Sequence, residues 1–226
     1  MRKSTFALAL GAFAAFGLGA SQASADLIIT GVFDGPLPGG DPKGVELTAT
    51  ANIADLSIYG LETVSNGGAS SGVEEATLPA VSLNAGDNFY VVNGDGTDFL
   101  QWFGFAADVV SAAGGAVNHN GDDVIILYEG GSVHDQFGVT GVDGTGEAWE
   151  TLDGWAYRNN GVAANGGAFN AADWSYSGPN EWDGDDGALD DGTNASATPP
   201  MPVGTYVPEP ASLALIGLGG LAIIRR

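Results

Sequence analysis

The chain has no cysteine, only six lysines and arginines, and only two histidines among 226 residues. Without cysteine there is no disulfide staple, no thiolate metal site and no cysteine nucleophile. Four of the six basic residues, Arg2, Lys3, Arg225 and Arg226, stand at the extreme ends, which leaves Lys43 and Arg158 in the body against all 28 acids. Such a body repels phosphate backbones, so nucleic-acid binding by counterion release is excluded. The charge favours solubility and costs stability through self-repulsion. No long stretch keeps a helical period, and no Gly-x-Ser-x-Gly or His-Glu-x-x-His stretch is present.

Glycine is abundant instead, 37 residues in all, and it divides the body into short β-type segments. Leu27–Phe33 reads as a strand closed by a turn at Asp34-Gly35-Pro36, with a Gly/Pro loop from Pro36 to Pro42. Gly44–Ala51 alternates, with Val45, Leu47 and Ala49 on one face and Glu46, Thr48 and Thr50 on the other. Ile53–Tyr59, with Leu56 and Ile58 on one side, Leu78–Leu83 and Asn88–Val92 follow as short strands. Phe99–Phe105 is a helical turn with Asp98 as N-cap. Asp123–Tyr128 is too continuously apolar for a one-sided strand, and Gly130-Gly131 turns it into a hairpin with Ser132–Val139. Aromatic-rich Trp149–Tyr157 and Phe169–Tyr176 close the core. Strands at this spacing predict an all-β sandwich or barrel.

The two ends carry addresses. Arg2 and Lys3 precede an apolar stretch, Phe6–Leu18, and Ala23-Ser24-Ala25 is a small-x-small cleavage site, so residues 1–25 read as a signal peptide with Asp26 the first mature residue. At the other end Val207-Pro208-Glu209-Pro210 leads into an uncharged run, Ala211–Ile224, and then Arg225-Arg226. Pro210 suits a first helical position and Glu209 the positive end of the helix dipole. The run spans about 21 Å at ~1.5 Å per residue, short of a hydrocarbon core of ~30 Å. Pro208 and Pro210 block extension upstream, and the arginines snorkel and favour a cytoplasmic C-terminus. A helix of this length is a temporary membrane tether.

Pro208-Glu209-Pro210, a short apolar helix and a basic end resemble the PEP-CTERM sorting signal of Gram-negative bacteria, over residues 207–226. The resemblance implies recognition at the Pro-Glu-Pro triplet by an exosortase, removal of the helix, and export linked to extracellular polysaccharide, the cell surface or the medium being the destination.

A second resemblance covers Asp26 to Gly178. Its motifs are Leu27-Ile28-Ile29-Thr30-Gly31-Val32, Val45-Glu46-Leu47, Ala54-Asp55-Leu56-Ser57-Ile58-Tyr59-Gly60-Leu61 and Gly121-Asp122-Asp123-Val124-Ile125. Val133-His134-Asp135-Gln136-Phe137-Gly138, Asp153-Gly154-Trp155-Ala156-Tyr157-Arg158, Phe169 and Trp174 complete them. In this order they resemble the lamin-tail domain, which implies an immunoglobulin-like β-sandwich that serves as an interaction or structural module. Residues 179–206, with Asp183, Asp185, Asp186, Asp190 and Asp191 among glycines and then Thr198-Pro199-Pro200-Met201-Pro202, read as a disordered or semi-extended acidic, proline-rich spacer.

The candidate chemistry is sparse. Asn93-Gly94-Asp95-Gly96-Thr97-Asp98 has oxygens at alternate positions, but Asp98 stands where an EF-hand needs glycine and Gly104 where it needs glutamate. Asp95, Asp98, Asp183 and Asp185 are therefore weak calcium candidates, and no firm cofactor is expected. His134 and Asp135 are neighbours that diverge in a strand, a poor base-and-orienter pair. Trp102, Trp149, Trp155 and Trp174 read as packing, whereas Trp182 lies in the spacer, where burial is least expected and sugar stacking is open to it. Arg158 is expected to cap carbonyls or pair with an acid. The sequence thus favours a non-enzymatic surface or matrix protein without catalytic residues. A polysaccharide- or calcium-binding module is the alternative, and a glycan-acting hydrolase is third.

Overall fold

In a computed structural model, residues 26–111, 115–187 and 191–209 are described. The signal-peptide residues Ala23 and Ala25, and Pro210, Arg225 and Arg226 of the tail, lie outside them, as do both expected terminal helices. Among the described residues no helix is long and apolar enough to cross a membrane.

The elements are β1 (Leu27–Leu37), β2 (Asp41–Ala49), β3 (Tyr59–Val64), β4 (Ala76–Thr77), β5 (Asn88–Asn93), α1 (Thr97–Phe103), β6 (Val109–Ser111), β7 (Val124–Glu129), β8 (Ser132–Phe137), β9 (Gly154–Arg158) and β10 (Trp174–Tyr176). They form a six-stranded sheet in the order β10-β9-β1-β2-β5-β6 and a four-stranded sheet in the order β4-β3-β7-β8. The pairing is antiparallel except between β5 and β6. The all-β, two-sheet architecture expected from strand spacing is present.

Side chains alternate across a strand, so each face of the six-stranded sheet collects every second residue. Leu27, Ile29, Val32, Val45, Leu47, Ala49, Phe89, Val91 and Ala156 face the core shared with β3 and β7. Ile28, Phe33, Leu37, Tyr90, Val92, Trp155 and Tyr157 face the other way and form a second apolar cluster. That cluster is roofed by Phe99 and Trp102 of α1 and by Trp182, Ala197, Met201 and Tyr206. The molecule therefore has a third layer. Residues 179–206 were expected to be a disordered or semi-extended spacer; the described ones pack as a strap across the outer face of the sheet. The same roof buries the second face of β2 as well, Glu46 and Thr48 included.

Other differences have local causes. β1 does not end at Asp34. Asp34 pairs in register with Lys43, and Gly35 lies so close to β2 that a Cβ there would meet the Asp41 carbonyl at 2.4 Å. The missing side chain lets the ladder run to Leu37 and moves the turn to residues 38–40. Ile53–Tyr59 is no strand: Ile53 makes one bridge to Leu83, and Leu56–Ile58 is a 3₁₀ turn started by the Asp55 carboxylate, which accepts from Ser57 N at 2.9 Å. Leu56 and Ile58 consequently part company, one buried and the other exposed. The Leu78–Leu83 segment contributes only that bridge, the regular pairing being at Ala76–Thr77. The N-cap of α1 is Gly96 in the left-handed region, with Asp98 inside the first turn.

The expected hairpin is present, with Gly130 and Gly131 both at positive φ between β7 and β8, and Val124 to Tyr128 are all buried. The exposed edge of β8 is closed by the loop that follows β9, where Gly166 N donates to the His134 carbonyl and Asn165 Nδ2 to that of Gln136.

Candidate functional site: the sorting junction and the acidic end

The strap starts at one end of the six-stranded sheet and finishes at the other. Asn180 N and Trp182 N donate to the carbonyls of Leu152 and Asp153, just before β9. Trp182 is fully buried, not exposed as its acidic surroundings imply. Its ring meets Trp102 edge-on at 5.1 Å between centroids, and its Nε1 donates to the Pro199 carbonyl at 2.9 Å, which also accepts Trp155 Nε1 at 3.0 Å. Asn194 clamps Met201 through both amide atoms, donating to its carbonyl and accepting from its N–H. Asp185 accepts from Thr198 N at 3.2 Å, so it helps tie down the strap.

The far end of the strap is fixed by Glu46 of β2. Its Oε1 accepts from Thr30 Oγ1 and from Tyr157 OH, both at 2.8 Å, and its Oε2 accepts from Tyr90 OH at 3.2 Å and Gly204 N at 2.7 Å. Burial pushes the Glu46 carboxyl upward, and the four donors pull it back. Tyr157 OH in turn accepts from Thr205 N and Tyr206 N at 2.9 and 3.0 Å. Glu46 shares its face of β2 with Thr48 and Thr50, and nothing in the local pattern marks it as the anchor of a segment so distant in the chain.

From Tyr206 the chain passes directly into the sorting triplet. Tyr206 OH donates to the Val162 carbonyl at 2.9 Å, Val207 N to Asn160 Oδ1 at 2.8 Å, and Gly161 N to the Val207 carbonyl at 2.9 Å. Pro208 is half-buried and Glu209 exposed. The triplet thus begins at the surface of the folded domain.

The opposite end of the sheet gathers carboxylates around Lys43. Lys43 Nζ lies 3.2 Å from Asp34 Oδ1. Burial raises Asp34 to about 7, with Lys43 opposing and Asp153 adding to the rise. Asp41 is raised by burial and by Asp98 and Asp95, and Asp153 by burial and by Asp183. The fold so brings Asp95, Asp98 and Asp183 to one end, while Asp185 serves the strap. Asp95 caps its own turn by accepting from Thr97 N at 2.9 Å. Among the described residues no three His, Asp or Glu side chains converge on a common metal position.

The other body cation is consumed in structure. Arg158 of β9 donates from Nε to the Ile29 carbonyl at 2.6 Å, from Nη1 to the Ala163 carbonyl at 2.8 Å and from Nη2 to Asp135 Oδ2 at 2.6 Å, and it stacks 4.5 Å over Trp174. It therefore both caps carbonyls and pairs with an acid. Asp135 also accepts from Ile29 N at 2.9 Å and Asn165 N at 3.1 Å. His134 turns the other way, with Nδ1 3.4 Å from Glu129. His119 is buried with Nε2 3.3 Å from the Gly44 carbonyl, and burial pulls it down to about 4, so it is neutral near pH 7. All five tryptophans are buried, which removes them, Trp182 included, as sugar-stacking platforms.

The family profile of the PEP-CTERM protein-sorting motif matches residues 207–226. No curated protein and no solved structure matches the chain. The motif implies an exported protein sorted by an exosortase and anchored in the membrane before processing.

Proposed function

We propose that the chain is a non-enzymatic structural or interaction protein of the cell surface or extracellular matrix, held at the membrane by its tail until an exosortase removes it. The observation that carries this reading is the sorting motif, which follows without a linker from a folded, strapped β-sandwich. Both body cations and the buried carboxylates Glu46 and Asp135 are committed to holding strands and strap together. We infer the lamin-tail type of the sandwich from its motifs, which fall on β1, β2, β8 and β9 and in part on β3 and β7. Extracellular polysaccharide is the partner class we favour, because the sorting resemblance links export to it. A calcium-binding role rests on the carboxylates gathered around Lys43. Replacing Pro208-Glu209-Pro210 by alanines, followed by cell fractionation and mass spectrometry of the released termini, tests the sorting role. We expect the protein to accumulate, tail intact, in the membrane fraction; unchanged processing and release would refute it.

A further inference from the structure

The distribution of acids in this chain is uneven along the strands. Between Asp26 and Glu209 the two longest runs free of Asp and Glu are Gly154–Ala172 and Gly192–Pro208. The fold packs them together, through the bonds of Val207 to Asn160 and Gly161, of Tyr206 to Val162, and of Thr205 and Tyr206 to Tyr157. They surround the point where the tail leaves the domain. Asp173, whose carbonyl accepts Asn159 N, flanks this patch, Asp26 and Asp87 stand at the same end of β1 and β5, Glu129 reaches that end through Tyr59 OH, and Glu209 belongs to the motif itself. Asp34, Asp41, Asp95, Asp98, Asp153 and Asp183 lie at the opposite end.

We propose that the surface formed by residues 159–164 and 205–208 rests against the lipid bilayer while the chain is tethered, with the carboxylate end pointing away. This rests on reading the tail as a membrane-inserted segment. The occupant follows from charge and from chain length. A bilayer containing anionic lipid repels carboxylates brought within a Debye length, about 8 Å at physiological salt. With Val207 hydrogen-bonded to the domain, only Pro208, Glu209 and Pro210 separate the folded surface from Ala211, where the apolar run starts, so even fully extended at ~3.3–3.6 Å each they reach about 10–11 Å and keep the domain at a separation comparable to that distance. The sandwich is held to the membrane on this side, and the surface next to the tether, residues 159–164 and 205–208, carries no acid.

Absence of cysteine makes the test clean. Single cysteines at Ala163 and Val207 on the proposed face, at Leu100 on α1 and at Leu218 in the tail would carry a fluorophore. The chain, purified with its tail intact, is reconstituted in vesicles of phosphatidylethanolamine and phosphatidylglycerol that contain a nitroxide-headgroup lipid. Ala163 and Leu100 are both exposed, so labelling leaves the core intact. Several-fold stronger quenching at 163 and 207 than at 100, with 218 quenched, is the expected result. Equal quenching at 163 and 100 with 218 quenched would overturn the orientation and leave tail insertion standing. An unquenched 218 would refute tail insertion and the proposal with it.

Discussion

Trp182→Ala is the most direct test of whether the strap belongs to the fold. The side chain is fully buried, packs edge-on against Trp102 and lies within a cluster that includes Trp155, Met201 and Tyr206. Removing a buried tryptophan costs about 3–5 kcal/mol in all, a total that already includes the aromatic contact, itself worth roughly 0.5–1.5 kcal/mol. The Pro199 carbonyl is not orphaned, because Trp155 Nε1 still donates to it. The expected loss is therefore about 3–5 kcal/mol, without a further desolvation penalty. Urea unfolding of the exported protein, followed by circular dichroism, reads this as a lowered midpoint at unchanged slope. Hydrogen exchange at the Asn194, Met201 and Gly204 amides should accelerate in parallel, since each is bonded across the strap or to Glu46. A spacer that merely hangs from the sandwich would make the substitution nearly silent. A change within about 0.5 kcal/mol, the range of ordinary surface substitutions, together with unaltered exchange, would refute the three-layer account.

Arg158→Met leaves Asp135 buried without its cation, and this should destabilise by about 3–5 kcal/mol. Adding Asp135→Leu should recover part of the loss in the same urea assay, whereas equal loss in both variants would show that the arginine acts by packing alone. The pH dependence of stability separates His119 from Asp34. The imidazole titrates near 6.5 when unfolded and near 4 when folded, so the unfolded state binds more protons between these values and stability falls as pH drops from 6.5 to 4. Asp34 rises from 3.8 unfolded to about 7 folded, so its contribution is full below 3.8 and is lost as pH rises to about 7. The two slopes oppose, each at most about 1.4 kcal/mol per pH unit. Relative to wild type, His119→Gln should therefore gain stability as pH falls from 6.5 to 4, and Asp34→Asn should lose it. Parallel pH profiles for all three proteins would contradict the assignment.

Legibility followed the range of each interaction. The β7–β8 hairpin could be read because a glycine pair and a run of apolar residues are adjacent in the chain. The alternation that places Val45, Leu47 and Ala49 on one face of β2 could be read for the same reason. The extension of β1 past Asp34 could not, because it depends on Lys43 lying across the ladder and on the close approach of Asp41 to Gly35. Arg158 was expected to cap or to pair, but its partners Ile29, Asp135 and Ala163 come from three separate stretches.

Chain order alone determined that this is an acidic, disulfide-free β-protein ending in a sorting motif. Strand periodicity, turn residues and a linear processing signal are all written over a few consecutive positions, and the motif spans residues 207–226. Only the tertiary structure decided that the glycine-rich acidic segment before that motif is a layer of the fold. Its burial is carried by four widely spaced side chains, Trp182, Ala197, Met201 and Tyr206, and by backbone bonds to Glu46 and Tyr157. Average hydrophobicity over the segment is low because what it buries lies on the sheet beneath it. A segment's own composition cannot report a cover that two distant parts of the chain make together.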